Sequence, residues 1–379
     1  MPAEVTLGAI VRAKGAELMA TRPTTAPQRK VMRAIAGCRT ASLGGHRDQC
    51  DRCGFEHTFW NSCRNRHCPL CGAEARERWL ERRRDEILDV PYFHAVFTIP
   101  EILRPVAFAS QQIVYAILMR AAAQALLDVG ATRLRARLGL LAVLHTWGQT
   151  LVFHPHVHCV VPGGGISLDG SRWVGLRKTS FLLWVKALSR RFRTLFCNGL
   201  RGAFTAGTLA LPPAIARDLT ALDLLLARAS RTDWHVHLKP PFGGPSQVLA
   251  YLASYTHRIA ISNRRILGFD GRRVTFAWRD YAADNAHKTM TLEATEFLRR
   301  FLLHVVPRRF TRIRYYGFLG NRQRAANIAR ARRLIGSRRP LRARPTVLNT
   351  RLCPQCRKGT MHAIARIVPQ LPPIWFDSS

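Results

Sequence analysis

Acid is what this sequence is short of. Only 23 Asp and Glu stand against 59 Lys and Arg in 379 residues, a net charge of +36. No small neutral metabolite demands such a field. A polyanion does, because each phosphate neutralised by a side-chain cation releases condensed counterions. Nucleic acid is therefore the partner that composition predicts. Apolar runs are short as well: none approaches the ~20 residues of a membrane span, and the first residues lack the apolar stretch of a secretion signal. A cytoplasmic protein without a membrane partner is expected. No GxxxxGK phosphate loop and no internal repeat is found. With 47% hydrophobic and 22% charged residues, disordered, collagenous and disulfide-miniprotein classes are excluded. At ~150 residues per domain there is room for two or three domains.

Apolar spacing predicts two short helices, from Glu4 to Ala20 and from Gln28 to Gly37. Residues 38–72 change character, with six of the ten cysteines among turn-forming residues. A charged helix, Arg76 to Leu88, leads out of them, and YFHAVFTIP from Tyr92 to Pro100 alternates as a strand. Helices are expected over 101–140, then strands at Leu140 to Trp147 and His156 to Pro162, the second closed by three glycines. Helices near 180–197 and 213–229, a strand at Trp234 to Leu238, a helix from Gln247, the strand RRVTFAW and the helix TLEATEFLRRFLLHVV follow. This irregular alternation predicts an α+β fold with a mainly antiparallel sheet. The expected division is a helical, cysteine-rich module over 1–90, a catalytic domain over 91–335 and a basic Pro/Arg-rich tail over 336–379.

In a reducing compartment clustered cysteines read as metal ligands. Cys50 and Cys53 form one CxxC, Cys68 and Cys71 another, with 14 residues between. That spacing predicts a structural zinc site of four thiolates, whose metal supplies folding energy to a segment with little apolar content. Cys63, His67, His46 and His57 lie near enough in sequence to replace a ligand or build a second site. Cys353 and Cys356 form a lone CxxC that His362 could extend to three ligands.

In HPHVHCVVPGGG, His154, His156 and His158 share strand parity and so one face. Neighbours two residues apart stand ~6.6 Å from each other, close enough to converge on one ion, whereas the outer two, at ~13 Å, are not. Pro155 disrupts the strand start, and His158 runs into the apolar CVV, so His156 and His158 are the expected pair. On a helix drawn through QVLAYLASYTHRIAISNRR, Tyr251, Tyr255, Arg258 and Ser262 fall on one stripe, away from Leu249, Leu252, Ala253, Thr256, Ile259 and Ala260. Core tyrosines would share the apolar side, so this stripe reads as an active face. A phenol, pKa ~10, attacks phosphorus when a cation stabilises the phenolate and a divalent ion polarises the phosphodiester.

HPHVHCVVPGGG followed by YLASYTHRIAISNRR, with CDRCG and SCRNRHCPLCG upstream, resembles the zinc-binding rolling-circle transposases of bacterial insertion sequences, a two-tyrosine branch of the HUH endonucleases related to Helitrons. The resemblance runs from about Ala26 to His362 and includes CRTASLGGH, VFTIP, FLLHVVPRRF and CPQCRKGTM. It implies a central antiparallel sheet flanked by helices, with His156 and His158 holding Mg²⁺ or Mn²⁺. Tyr251 and Tyr255 would then be the nucleophiles that cut one DNA strand through a 5′-phosphotyrosine, with Arg258 beside them. It further implies a third polar ligand, for which Gln149 and His154 are candidates, single-stranded element ends as substrate, and a bacterial, nucleoid-associated location. Tyr315 and Tyr316 of RIRYYG read as stacking or structural. A replication initiator would share this chemistry but add or recruit a helicase. None is visible in the chain, which leaves that role to a host enzyme. A non-catalytic DNA-binding derivative would tolerate loss of the histidine pair or the tyrosines, and both are kept.

Overall fold

The computed structural model describes residues 5–176, 182–213, 215, 219–232, 234–239, 259–281, 283–336 and 351–370. Two helices come first, α1 (Leu7–Thr21) and α2 (Ala26–Gly37), each begun by a threonine cap. Thr6 Oγ1 accepts from the Ala9 amide, and Thr25 and Gln28 form a reciprocal capping box. A hairpin of β1 (Gly45–Cys50) and β2 (Glu56–Trp60) and helix α3 (Pro69–Arg83) complete the cysteine-rich stretch. The chain continues through β3 (Tyr92–Thr98), α4 (Arg104–Ala109), α5 (Gln111–Arg133), β4 (Ala136–Arg137) and β5 (Gly139–Trp147). Next come β6 (Phe153–Pro162), β7 (Gly164–Ser167), β8 (Trp173–Gly175), α6 (Val185–Thr205), α7 (Leu219–Ser230) and β9 (Val236–Lys239). Beyond them lie β10 (Ile266–Phe269), β11 (Arg273–Asp280), β12 (Ala286–Glu293), α8 (Ala294–Leu302), β13 (Ile313–Gly317), α9 (Arg324–Ile335) and β14 (Met361–Ile367).

The five-stranded sheet runs β13-β5-β6-β3-β9, antiparallel throughout. Alternation along its strands sorts the side chains onto two faces. Phe93, Ala95, Phe97, Leu140, Ala142, Leu144, Val157 and Cys159 enter the largest apolar core, which α5 and α6 cover with Leu118, Ala122, Phe192 and Phe196. The opposite parity carries His94, His145, His156 and His158, beside a smaller apolar patch of Val143, Val160 and Leu141 under Trp79 of α3. The α+β class with an antiparallel sheet is as expected. Helix α5 is an exception to the short apolar runs. By length and composition it could cross a membrane, yet 67% of its most apolar stretch is buried inside the protein, as befits a helix at the centre of a core.

Packing crosses the expected domain limits. Leu7, Ile10, Val31 and Ile35 of the first two helices share one apolar core with Ile266, Phe276, Phe297 and Phe301, so residues before 90 pack with residues from the supposed catalytic domain. Polar contacts follow suit: Gln28 Nε2 donates to the Leu302 carbonyl at 3.0 Å, and the Arg66 guanidinium to the Phe310 carbonyl at 2.6 Å. The tail is not wholly a tail either. β14 pairs antiparallel with β1, from Gly45 opposite Ile367 to Cys50 opposite Met361. Two local expectations are also corrected. The TLE segment expected to open a helix ends β12, which pairs along its length with β11, and α8 begins only at Ala294. Ser262, plotted on the tyrosine stripe, has extended backbone (φ −93°, ψ 153°), so the helix does not reach it.

Candidate functional site

The register of the sheet assembles three imidazoles. His156 and His158 are two apart on β6, and the β5–β6 hairpin places His145 directly opposite His156. The ligand nitrogens of His145, His156 and His158 all lie within 4.8 Å of one another. Each ring is held from behind. His156 Nδ1 donates to the His154 carbonyl at 2.6 Å, which fixes the orientation of its ring. His158 Nδ1 lies 2.7 Å from His94 Nε2, with the two ring planes within 3°. Burial, then Lys239 and His237, pushes His94 down to about 3, so it stays neutral at physiological pH. The indole of Trp147 stacks on His145 with centroids 4.6 Å apart.

His156 and His158 are thus brought together as expected, but neither candidate third ligand joins them. Gln149 Nε2 donates to the Tyr281 hydroxyl at 2.8 Å, beyond the turn of the hairpin. His154 Nδ1 takes a bond from Arg104 at 3.0 Å, and burial followed by that cation pushes its pKa down to about 4. The strand break expected at Pro155 does not occur either, since β6 runs through it. His145 was missed because its position depends on register. A one-residue register shift between His145 and Trp147, just before the Gly148–Val152 turn, brings His145 opposite His156 rather than Pro155, and TWGQTLVF does not announce that bulge. Tyr251, Tyr255 and Arg258 lie outside the described residues. Tyr315 packs between cations, with Arg324 over its ring at 4.3 Å and Arg83 at 5.5 Å, and Tyr316 packs against the main core.

The cysteines regroup. Instead of Cys50, Cys53, Cys68 and Cys71, the fold gathers Cys38, Cys63, Cys68 and Cys71, all sulfurs within 4.8 Å. Cys38 and Cys63 each stand 3.6 Å from Cys71, near the ~3.8 Å edge of a tetrahedron with Zn–S bonds of about 2.3 Å. Local structure delivers each ligand. Cys38 ends α2, Cys68 caps α3 ahead of Pro69, and Cys71 sits in the first turn of that helix, where the amide dipoles favour thiolate. Hydrogen bonds from Cys63 and Cys68 pull the Cys38 thiol down to about 2, and the hydrogen bond Cys63 makes with Cys38 pushes Cys63 up to about 12. Four thiolates this close would repel one another, which a divalent cation offsets. Cys50 and Cys53 cannot join it because the β1–β2 turn carries them to the far end of the hairpin, where Cys353 and Cys356 stand. His67 is no ligand: its Nδ1 bonds Asn65 and its Nε2 accepts the Val306 amide, while burial pushes it down to about 3. His46 and His57 lie on β1 and β2 against Phe59. His362 reaches Asp51 rather than a cysteine.

Comparison with known proteins agrees with this geometry. Residues 10–99 match the family described as "Transposase zinc-binding domain" and residues 139–326 the family described as "Putative transposase". The chain is 47% identical over 358 residues to "Putative transposase y4qJ" of Sinorhizobium fredii (strain NBRC 101917 / NGR234), covering 89% of each chain. It is 33% identical over 293 residues to "Transposase for insertion sequence element IS801" of Pseudomonas savastanoi pv. phaseolicola, covering 76% of this chain and 69% of that one. No solved structure matches. With a zinc-binding cysteine quartet and histidines gathered on its central sheet, the chain belongs to the zinc-binding transposases of bacterial insertion sequences, the IS91 and IS801 type, whose partner is DNA.

Proposed function

We propose that this transposase cuts and rejoins single DNA strands through a covalent 5′-phosphotyrosine, with His145, His156 and His158 as the ligands of a divalent cation. The observation that supports it is the convergence of those three rings within 4.8 Å, on the face of the sheet that α5 and α6 leave uncovered. Three imidazoles with no carboxylate among them suit Mn²⁺ better than Mg²⁺. Bound there, the cation supplies positive charge to the non-bridging oxygens of the scissile phosphate.

The chain's own residues do the remaining work. His94 and the His154 carbonyl orient the two β6 imidazoles, so the ligand nitrogens are set before DNA arrives. By resemblance, Tyr251 or Tyr255 is the nucleophile and Arg258 stabilises its phenolate. The phenol gives its proton to solvent, its oxygen bonds to phosphorus, the bond from phosphorus to the 3′ oxygen breaks, and that oxygen takes a proton from solvent, so the released strand leaves with a 3′-hydroxyl. The ester energy stays in the phosphotyrosine, so attack by another 3′-hydroxyl rejoins DNA without a nucleotide cofactor. The test is incubation of the full chain with labelled single-stranded DNA of the element's ends and Mn²⁺. The wild type forms an SDS-stable adduct, and His158→Ala and His145→Ala lose it while DNA affinity stays within a few fold. Undiminished adduct from both variants would move the metal site elsewhere.

A further inference from the structure

Two CxxC turns from opposite ends of the chain meet. Cys50 and Cys53 close β1, Cys353 and Cys356 precede β14, and the four sulfurs lie within 4.8 Å of one another. Cys50 is 3.8 Å from Cys356, and Cys53 is 3.6 Å from Cys353. The two turns repeat one another in backbone terms. The Gly54 amide donates to the Cys50 carbonyl at 3.2 Å, as the Arg357 amide does to the Cys353 carbonyl at 2.9 Å. In both, the residue after the second cysteine is left-handed, Gly54 at φ 69° and Arg357 at φ 54°. Each turn also aims an amide at sulfur: Arg52 at Cys50, 3.4 Å, and Gly359 at Cys356, 3.3 Å. Amides pointed at sulfur favour thiolate over thiol.

The turns approach as closely as side chains allow. A Cβ on Gly359 would stand 2.4 Å from Cys50 Sγ, so glycine is required there. Apolar cover is scant, since the cluster consists of Cys50, Cys353 and Met361 with Phe55 and Cys356 at its edge. So small a cluster gives little hydrophobic stabilisation, and the chain end must be held by something else. Disulfides fit poorly, because sulfurs at 3.6 and 3.8 Å are far from the ~2.05 Å of a bond and close to the ~3.8 Å edge of a zinc tetrahedron.

We propose that Cys50, Cys53, Cys353 and Cys356 hold a second zinc ion, separate from that of the Cys38 quartet, which clasps the C-terminal segment to the N-terminal hairpin. Half of this site lies beyond residue 326, outside both regions matched to known families. The β1–β2 hairpin is therefore completed by residues about 300 positions away.

The experiment is metal and thiol counting on the full-length chain, purified under reducing conditions without chelator. Two zinc ions per chain are expected, and their chelation should expose eight reactive thiols, leaving Cys159 and Cys197 protected in the core. The Cys353→Ser, Cys356→Ser variant should keep one ion, and an arginine-specific protease should release its C-terminal segment at least tenfold faster. Cys50→Ser, Cys53→Ser should lose the same single ion. One zinc in the wild type, two in the Cys353→Ser, Cys356→Ser variant, or a clasp opened by reductant but not by chelator would each overturn the proposal. The wild-type count stands even if a variant fails to fold.

Discussion

His156 differs from an ordinary strand histidine by one bond, the 2.6 Å contact from Nδ1 to the His154 carbonyl, which holds its ring in one orientation. His158 relies on His94 for the same service, so His94 acts at one remove, as a positioning residue. We expect His94→Phe to weaken Mn²⁺ binding about 10–100-fold, read by calorimetric titration of the full chain, with His94→Gln restoring part of it through an amide oxygen. Equal affinities in Phe and Gln variants would show that the 2.7 Å contact does not orient the ligand. The tyrosines admit a cleaner experiment, because phenylalanine removes only the hydroxyl. Tyr251→Phe with Tyr255→Phe should form no covalent DNA adduct, whereas each single variant should cleave but transpose poorly; an adduct from the double variant would place the nucleophile elsewhere. The sequence exposes such chemistry when ligands are neighbours in strand parity, as His156 and His158 are. It hides ligands that register or tertiary folding delivers: His145 from the adjacent strand, Cys38 from the end of α2. The CxxC pairs looked like two halves of one site because 14 residues is an ordinary loop between such halves, yet each pair took its partners from elsewhere.

Among the elements, the β5–β6 hairpin bears the site, and His304, just after α8, pins it. His304 Nε2 donates to the Leu151 carbonyl at 3.1 Å, and its Nδ1 lies 3.3 Å from Thr146 Oγ1. Complete burial pushes its pKa down to about 4, the two hydrogen bonds only partly opposing. In the unfolded chain the group titrates near 6.5 and binds a proton that the folded protein refuses. Its stabilising contribution is therefore full above pH ~6.5 and lost as pH falls towards 4, by about 3 kcal/mol at most. We expect the thermal midpoint of the wild type to drop through this window, and His304→Gln to start less stable at pH 7.5 but to fall less steeply. Parallel curves would mean that His304 does not carry the effect. Most elements were legible from periodicity: α1, α2 and β3 lie within a few residues of expectation, and α4 and α5 fall in the stretch expected to be helical. β12 was not, because in AHKTMTLE only Met290 and Leu292 pack against the core, too few apolar residues to mark a strand before pairing with β11 is known. The packing across the expected domain limits was illegible for a similar reason. The core joining α1 and α2 to α8 is assembled from residues more than 200 positions apart.

For the whole molecule, the excess of 59 cations over 23 anions is a statement about DNA. Affinity for single-stranded DNA should fall steeply with salt, with a slope of about −0.7 in log–log terms per phosphate neutralised, measured by fluorescence anisotropy. A flat response would assign the basic surface to another partner. The pairing of β14 with β1 has a different kind of consequence, in time. Because Cys50 lies opposite Met361, the hairpin made early in synthesis waits for the last part of the chain before its open edge is covered. At roughly 5–20 residues per second on the ribosome, that interval is about 15–60 s, in which a nascent chain carries an unpaired strand edge and two bare thiols. Translation interrupted after α9 would therefore release a protein with both of its matched family regions intact and its first sheet unfinished.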